Sequence, residues 1–140
     1  MISTKGRYAL RVMIDLAQHE GEGSIPLKAI AERQEISKKY LEIITKELVR
    51  GGLIRGVSGK GGGYSLCRTP EDYTVLEILE LMEGSLSPVA CLAQDDYDCP
   101  RGDNCLTLPM WKEFDRMTMD FFGNIRLSDL LGSRDPVYYI

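Results

Sequence analysis

"SIPLKAIAERQEISKKYLEIITKELVRGGLIRGVSGKGGGYSL", residues 24 to 66, runs two helical patterns and a glycine-rich hairpin in immediate succession. Over residues 27–34, Leu27, Ile30 and Ala31 fall on one side of a short helix, and a brief turn follows near Glu35 and Ile36. Ser37 stands where a helix cap belongs, because its short side-chain oxygen can accept from an orphan amide of the first turn. Leu41, Ile44 and Leu48 form the buried stripe of the helix it starts, and Gly51 and Gly52 supply a permissive stop. Two short helices joined by a tight turn, the second capped and amphipathic, outline a helix-turn-helix. Strand-like runs, Leu53 to Gly56 and Gly63 to Leu66, then surround a tip that carries Lys60. The expected fold is a winged helix-turn-helix, mainly α with a small β-hairpin wing.

The glycines Gly59, Gly61, Gly62 and Gly63 also suggest a nucleotide phosphate loop, but no helix opening on Lys-Ser or Lys-Thr follows them. A wing against a nucleic-acid backbone suits them better. There the glycines permit close approach to phosphates and Lys60 adds a point charge.

Working outward, Ser3 can cap a first helix in which Ala9, Leu10, Met13, Leu16 and Ala17 recur at helical spacing, up to His19. Beyond Pro70, Thr74 and Glu77 form a capping box for "TVLEILELMEG". Ile78, Leu81 and Met82 of that helix are expected to pack on the amino-terminal domain, with Gly84 as its stop. Further on, Met110, Phe114, Met117 and Phe121 recur at spacings of four, three and four, flanked by Trp111 and Phe122. Such a stripe on one long helix is usually ordinary core, but a chain of 140 residues has few other elements to cover it, and a homodimer interface is the more economical account. The expected organisation is 1–84 as a DNA-binding domain, 85–105 as a cysteine-containing loop, and 106–140 as a dimerisation helix and tail.

The net charge of −4 conceals an asymmetry. Residues 1–68 hold 12 Lys and Arg against 7 acids, whereas residues 69–140 hold 5 against 14. Overall acidity therefore does not exclude a nucleic-acid partner, which responds to a local basic face. Arg11 and Asp15 interrupt the first apolar stretch, so it reads as neither a signal peptide nor a membrane span, and a cytoplasmic location is expected.

In a reducing compartment four cysteines argue for metal binding, catalysis or burial rather than disulfides. Cys91, Cys99 and Cys105 stand in "CLAQDDYDCPRGDNC", separated by seven and five residues. A structural zinc site draws on pairs spaced by two to four residues, and the sole histidine, His19, is far away. An iron–sulfur cluster tolerates wider spacing, and three thiolates with one variable ligand would hold it labile, as a sensor requires. Incidental free thiols are the alternative. Cys67, alternating with Tyr64 and Leu66, reads as a small packing residue.

With "STKGRYAL", "YLE" at 40–42, "GGGY" at 61–64, "VLEILELMEG", "CLT" at 105–107 and "NIRLSDLL" in this order, the chain resembles the IscR-type winged-helix regulators, the iron–sulfur cluster regulator family. The resemblance runs over nearly the whole length. It implies a homodimer that binds operator DNA through recognition helix and wing, with a 2Fe-2S cluster held by Cys91, Cys99 and Cys105. Where that family has a histidine three residues after the third cysteine, this chain has Leu108, which cannot ligate. Related nitric-oxide sensors use an aspartate where Tyr8 stands here. The fourth ligand is left open, with Asp95, Asp96, Asp98 and Asp103 in the loop as oxygen donors.

At the DNA-reading surface the expected contacts are Ser37, Lys38, Lys39, Tyr40 and Glu42 on the helix start, and Ser58, Lys60, Gly61 and Gly62 on the wing. Glu42 can accept from a cytosine amino group. Ile43 replaces a family glutamine and Ser58 a family arginine, which implies a shifted operator preference; generic phosphate attraction is the plainer role for Lys38 and Lys39.

The expected function is repression of iron–sulfur biogenesis genes, with cluster status as the signal. A nitric-oxide or thiol-redox sensing regulator of the same fold is the alternative. An iron–sulfur electron-transfer protein would want four cysteine ligands and no basic wing. No credible nucleophile and base are paired in the sequence, so an enzyme is not expected, nor a small-molecule substrate or a membrane partner.

Overall fold

Helix caps and glycine stops divide the chain where the sequence predicts. The structure is a computed structural model that describes residues 2–93 and 104–132. Its elements are α1 (Thr4–Gln18), α2 (Leu27–Gln34), α3 (Lys38–Arg50), β1 (Ile54–Val57), β2 (Gly63–Leu66), α4 (Val75–Glu83), α5 (Ala90–Ala93) and α6 (Leu108–Gly123), with 3-10 turns at Pro70–Asp72 and Leu127–Leu130. Ser3 accepts from the Gly6 amide to cap α1, and Ser37 accepts from the Tyr40 amide to cap α3. Thr74 and Glu77 form the reciprocal capping box of α4.

The apolar stripes then meet in one core. Ala9, Val12, Met13 and Leu16 of α1 pack with Ile30 of α2, Leu41, Ile44 and Leu48 of α3, and Ile78 and Met82 of α4. Each large aliphatic side chain buried this way contributes roughly 1.5–3 kcal/mol of transfer free energy. Thr45, also fully buried, directs its hydroxyl back to the Leu41 carbonyl at 2.9 Å, so the core holds no stranded hydroxyl there. A second cluster on the other side of α4 gathers Val75, Leu79, Leu86 and Ile125, with Phe122 and Leu130 packed against it. The chain leaving α6 therefore returns to the scaffold.

β1 and β2 pair antiparallel in the register Ile54↔Leu66 to Val57↔Gly63. The first strand starts one residue later than the sequence pattern suggests, because the Leu53 amide still bonds the Leu48 carbonyl at 3.0 Å and finishes the helix exit. A third partner joins the sheet: Ile25, just before α2, exchanges two backbone bonds of 2.8 Å with Tyr64. Gly63 makes this approach possible, since a Cβ there would stand 2.3 Å from the Ile25 carbonyl oxygen. The expectation for Cys67 needs correcting. Leu66 faces the core, so the next residue faces outward by strand alternation, and Cys67 is exposed rather than packed. Among the described residues no helix is long and apolar enough to cross a membrane.

Candidate nucleic-acid interface and cysteine loop

The start of α3 projects from the core on its Ser37 cap. Ser37, Lys38, Lys39 and Glu42 are exposed there, as is Ile43, while Tyr40 is half-buried. The buried stripe fixes this phase: with Leu41, Ile44 and Leu48 inward, residues 38, 39, 42 and 43 face out. Lys38 lines a groove of about 450 Å³ together with Gly56, Val57, Ser58, Gly62 and Tyr64 of the wing region. Ser58, Lys60 and Gly61 are exposed around the tip, and the turn closes with the Gly62 amide on the Gly59 carbonyl at 3.0 Å. Gly62 is half-buried for an internal reason, because a Cβ would fall 2.2 Å from the Val57 carbonyl oxygen.

Of the predicted residues, the structure brings Lys38 together with Ser58 and Gly62 in one groove; Ser37, Lys39, Tyr40, Glu42, Lys60 and Gly61 do not line it. It adds Lys28, at the start of α2, to the same groove. Sequence reading passed over Lys28. Its signal was the phase of α2, in which Leu27, Ile30 and Ala31 turn inward and leave residue 28 exposed.

A buried polar latch fixes this surface from behind. Asp15, 1% exposed within the apolar face of α1, receives Nε and an Nη of Arg33 at 2.9 and 2.8 Å and the Gln34 amide at 3.0 Å. Burial alone would raise the Asp15 pKa, but the bonds from Arg33 and Gln34 outweigh it and hold the carboxyl below its ordinary value. Arg11 extends the latch by bonding both the side chain and the backbone carbonyl of Gln34. It also lies over the Tyr8 ring, 5.2 Å from the centroid, and Tyr8 meets Tyr40 of α3 edge-on at 5.7 Å. The angle between the two helices of the helix-turn-helix is therefore held through α1.

Two of the three loop cysteines, Cys91 and Cys105, lie among the described residues. Cys91 is half-buried on the short helix α5, where a loop was expected, and Cys105 is half-buried three residues before α6, its Sγ 3.5 Å from the Thr107 hydroxyl. Cys99, Asp95, Asp96, Asp98 and Asp103 lie outside the described residues. Among the described residues no group of three or more His, Cys, Asp or Glu forms a metal site. The donor set itself suits iron–sulfur chemistry, since thiolates are the usual ligands of such clusters and both described cysteines stand outside the sealed core. Leu108 opens α6 as an aliphatic side chain and offers no ligand.

Along α6 no residue is buried. Met110, Phe114, Met117 and Phe121 are 55%, 39%, 56% and 48% exposed. An apolar row this open on a 16-residue helix marks a candidate contact surface. Arg116 sits between Glu113 and Asp120, as solvated polar neighbours of that row.

Comparison with known proteins agrees with these features. Residues 2–133 match the Rrf2 family, described as iron-dependent transcriptional regulators. The HTH-type transcriptional regulator IscR of Serratia proteamaculans is 37% identical over 134 residues, which is 96% of this chain and 80% of the relative. Among solved structures, T. potens IscR is 36% identical with a TM-score of 0.76, covering 100% of this chain and 92% of that one. CymR, the global cysteine regulator of B. subtilis, is 33% identical with a TM-score of 0.76, over 96% and 98% of the two chains.

Proposed function

This chain belongs to the Rrf2 family of transcriptional regulators, and on that footing we propose that it represses iron–sulfur biogenesis genes as an operator-binding homodimer, reading cluster status through Cys91, Cys99 and Cys105. The observation that carries the reading is the joint placement of cations and thiols. Lys28 and Lys38 line one groove with residues of the glycine wing, and Cys91 follows α4 while Cys105 precedes α6, the helix that carries the open apolar row.

On this reading the first turn of α3 enters the major groove. Lys38, Lys39 and the wing tip with Ser58, Lys60, Gly61 and Gly62 hold phosphates, while Tyr40 orients the helix start through Tyr8. Exposed Glu42 selects cytosine through its amino group, and Ile43 beside it offers a methyl-rich surface to thymine. The row on α6 pairs two protomers so that two recognition helices address two half-sites. Cys91, Cys99 and Cys105 would hold a 2Fe-2S cluster, which when bound supplies a lability toward iron supply and oxidants that the thiols alone lack. With Leu108 unable to ligate, its fourth ligand comes from elsewhere in the chain or from solvent.

Anaerobic reconstitution with iron and sulfide tests this directly. The expected product is a visible-absorbing protein, and serine at positions 91, 99 and 105 together is expected to abolish the absorbance. An unchanged chromophore in the triple serine protein would overturn the ligand assignment. The exposed Cys67 and the half-buried Cys91 and Cys105 favour a second reading in which the thiols themselves, or nitric oxide acting on a cluster, control DNA release. Titrating operator binding against iron limitation, peroxide and nitric oxide separates the two: only the first reading makes iron limitation sufficient.

A further inference from the structure

The wing is a two-stranded hairpin, and such a hairpin is marginal unless something holds its base. Beside the Ile25–Tyr64 bridge at the middle of β2, a phenol holds the base. The Tyr73 hydroxyl donates to the Leu53 carbonyl at 2.6 Å and accepts from the amides of Cys67 and Arg68 at 2.9 and 3.1 Å. By the strand register, Leu53 and Cys67 are the pair that would follow Ile54 and Leu66. The hydroxyl is thus inserted into the hairpin as its last rung, bridging a carbonyl on one strand to an amide on the other. Tyr73 is fully buried, and the Arg68 guanidinium covers its ring at 4.6 Å while bonding the Asp72 carbonyl and the Glu77 carboxylate.

The backbone of the same residue looks the other way. The Leu127 amide donates to the Tyr73 carbonyl at 3.0 Å, the Val75 amide donates to the Ile125 carbonyl at 2.9 Å, and Thr74 and Arg126 pair between them. Residues 73–75 therefore form a strand-like seam with the segment that leaves α6.

We propose that Tyr73 is a positioning residue for operator binding: it aligns the wing with the scaffold at the end of α6, so that the tip reaches phosphate at the same time as α3 reaches the groove. The proposal rests on the reading of the wing as a DNA contact. Tyr73 touches no DNA in it. Side chain and backbone of one residue carry the alignment from the α6 exit to both strands of the hairpin.

The test is a double-mutant cycle of Tyr73→Phe with Lys60→Ala in the full chain, read by operator affinity across a salt series, with melting measured alongside. Lys60→Ala is expected to weaken binding about fivefold and to reduce the salt slope by about one. Tyr73→Phe is expected to reproduce that loss and slope change while the protein stays folded. The double variant is expected to be no worse than either single, because both act through the wing tip. A Tyr73→Phe protein with unchanged affinity beside a weakened Lys60→Ala overturns the positioning role alone. A Lys60→Ala protein with unchanged affinity and slope overturns the wing reading, and the positioning role with it. Amide exchange on the unmutated protein gives an arm that does not depend on the variant folding. The Cys67 and Arg68 amides should be protected on a par with those of α4, and exchange at the rate of the exposed tip would overturn the inference.

Discussion

Replacing Asp15 by Asn keeps the shape of the side chain and removes the charge that gathers Arg33 and Gln34. The new amide would present donors to donors, because both Arg33 nitrogens and the Gln34 amide already point at this carboxylate. Breaking a buried pair from one side costs about 3–5 kcal/mol when the remaining charge is stranded. Arg33 is not stranded: its side chain is 38% exposed and can regain water. The expected cost is therefore about 2–3 kcal/mol, the value of lost charge-assisted bonds to a buried acceptor. For a chain of this size that lowers Tm by on the order of 10 °C. The pH dependence carries the sharper signature. Because the folded pKa of Asp15 is depressed, its contribution is complete above its ordinary value of 3.8 and is lost as pH falls through the lower folded value. Urea unfolding of both proteins from pH 7 downward should show a gap that is constant near neutrality and closes below about pH 4. A gap under about 0.5 kcal/mol at pH 7, or one that widens on acidification, would refute the account of the latch.

Two further substitutions probe the surface it supports. Gly63→Ala would set a methyl 2.3 Å from the Ile25 carbonyl oxygen, at a φ of 153°, and neither backbone can yield without parting the Ile25–Tyr64 bridge. A loss of about 2 kcal/mol is expected in urea unfolding, with operator affinity falling too; wild-type stability would mean that the wing is not held to α2 as described. Phe114→Glu with Met117→Glu places two charges in the exposed row of α6 without touching the core. Sedimentation should change from dimer to monomer while helical content stays constant, and an unaltered sedimentation coefficient would remove this row from any dimer interface.

Much of this architecture was legible because its determinants are local. Ser37, Thr74 with Glu77, and Gly51 act within one helical turn, so their spacing alone predicts the caps and the stop that the structure shows. The helix-turn-helix followed from stripes whose period needs no knowledge of partners. The latch and the rung were not legible, since each joins residues remote in sequence: Asp15 meets Arg33 across 18 positions and Tyr73 meets Leu53 across 20. A signal was present for the first, an acid in phase with Val12 and Leu16 on a buried face. For Tyr73 there was none, because an aromatic residue just ahead of a capping box gives no indication that its hydroxyl will close a hairpin. The cysteine loop is a third kind of case. Thiol chemistry limits what the three residues can hold, but no periodicity constrains their path, and Cys99 lies outside the described residues.

Helix α4 has a consequence of a mechanical kind. Ile78 and Met82 belong to one core cluster, Val75 and Leu79 to the other, and none of its nine residues is exposed. A helix wedged between two apolar bodies cannot roll about its axis without carrying Glu77 or Glu80 into one of them. Nor can it slide alone, because residues 73–75 at its start are bonded to residues 125–127 and Glu83 at its end accepts from the Ser3 amide and hydroxyl. The helix, the two clusters and the seam at its start therefore form one block, and the segment past Gly84 that leads toward Cys91 departs from a fixed post.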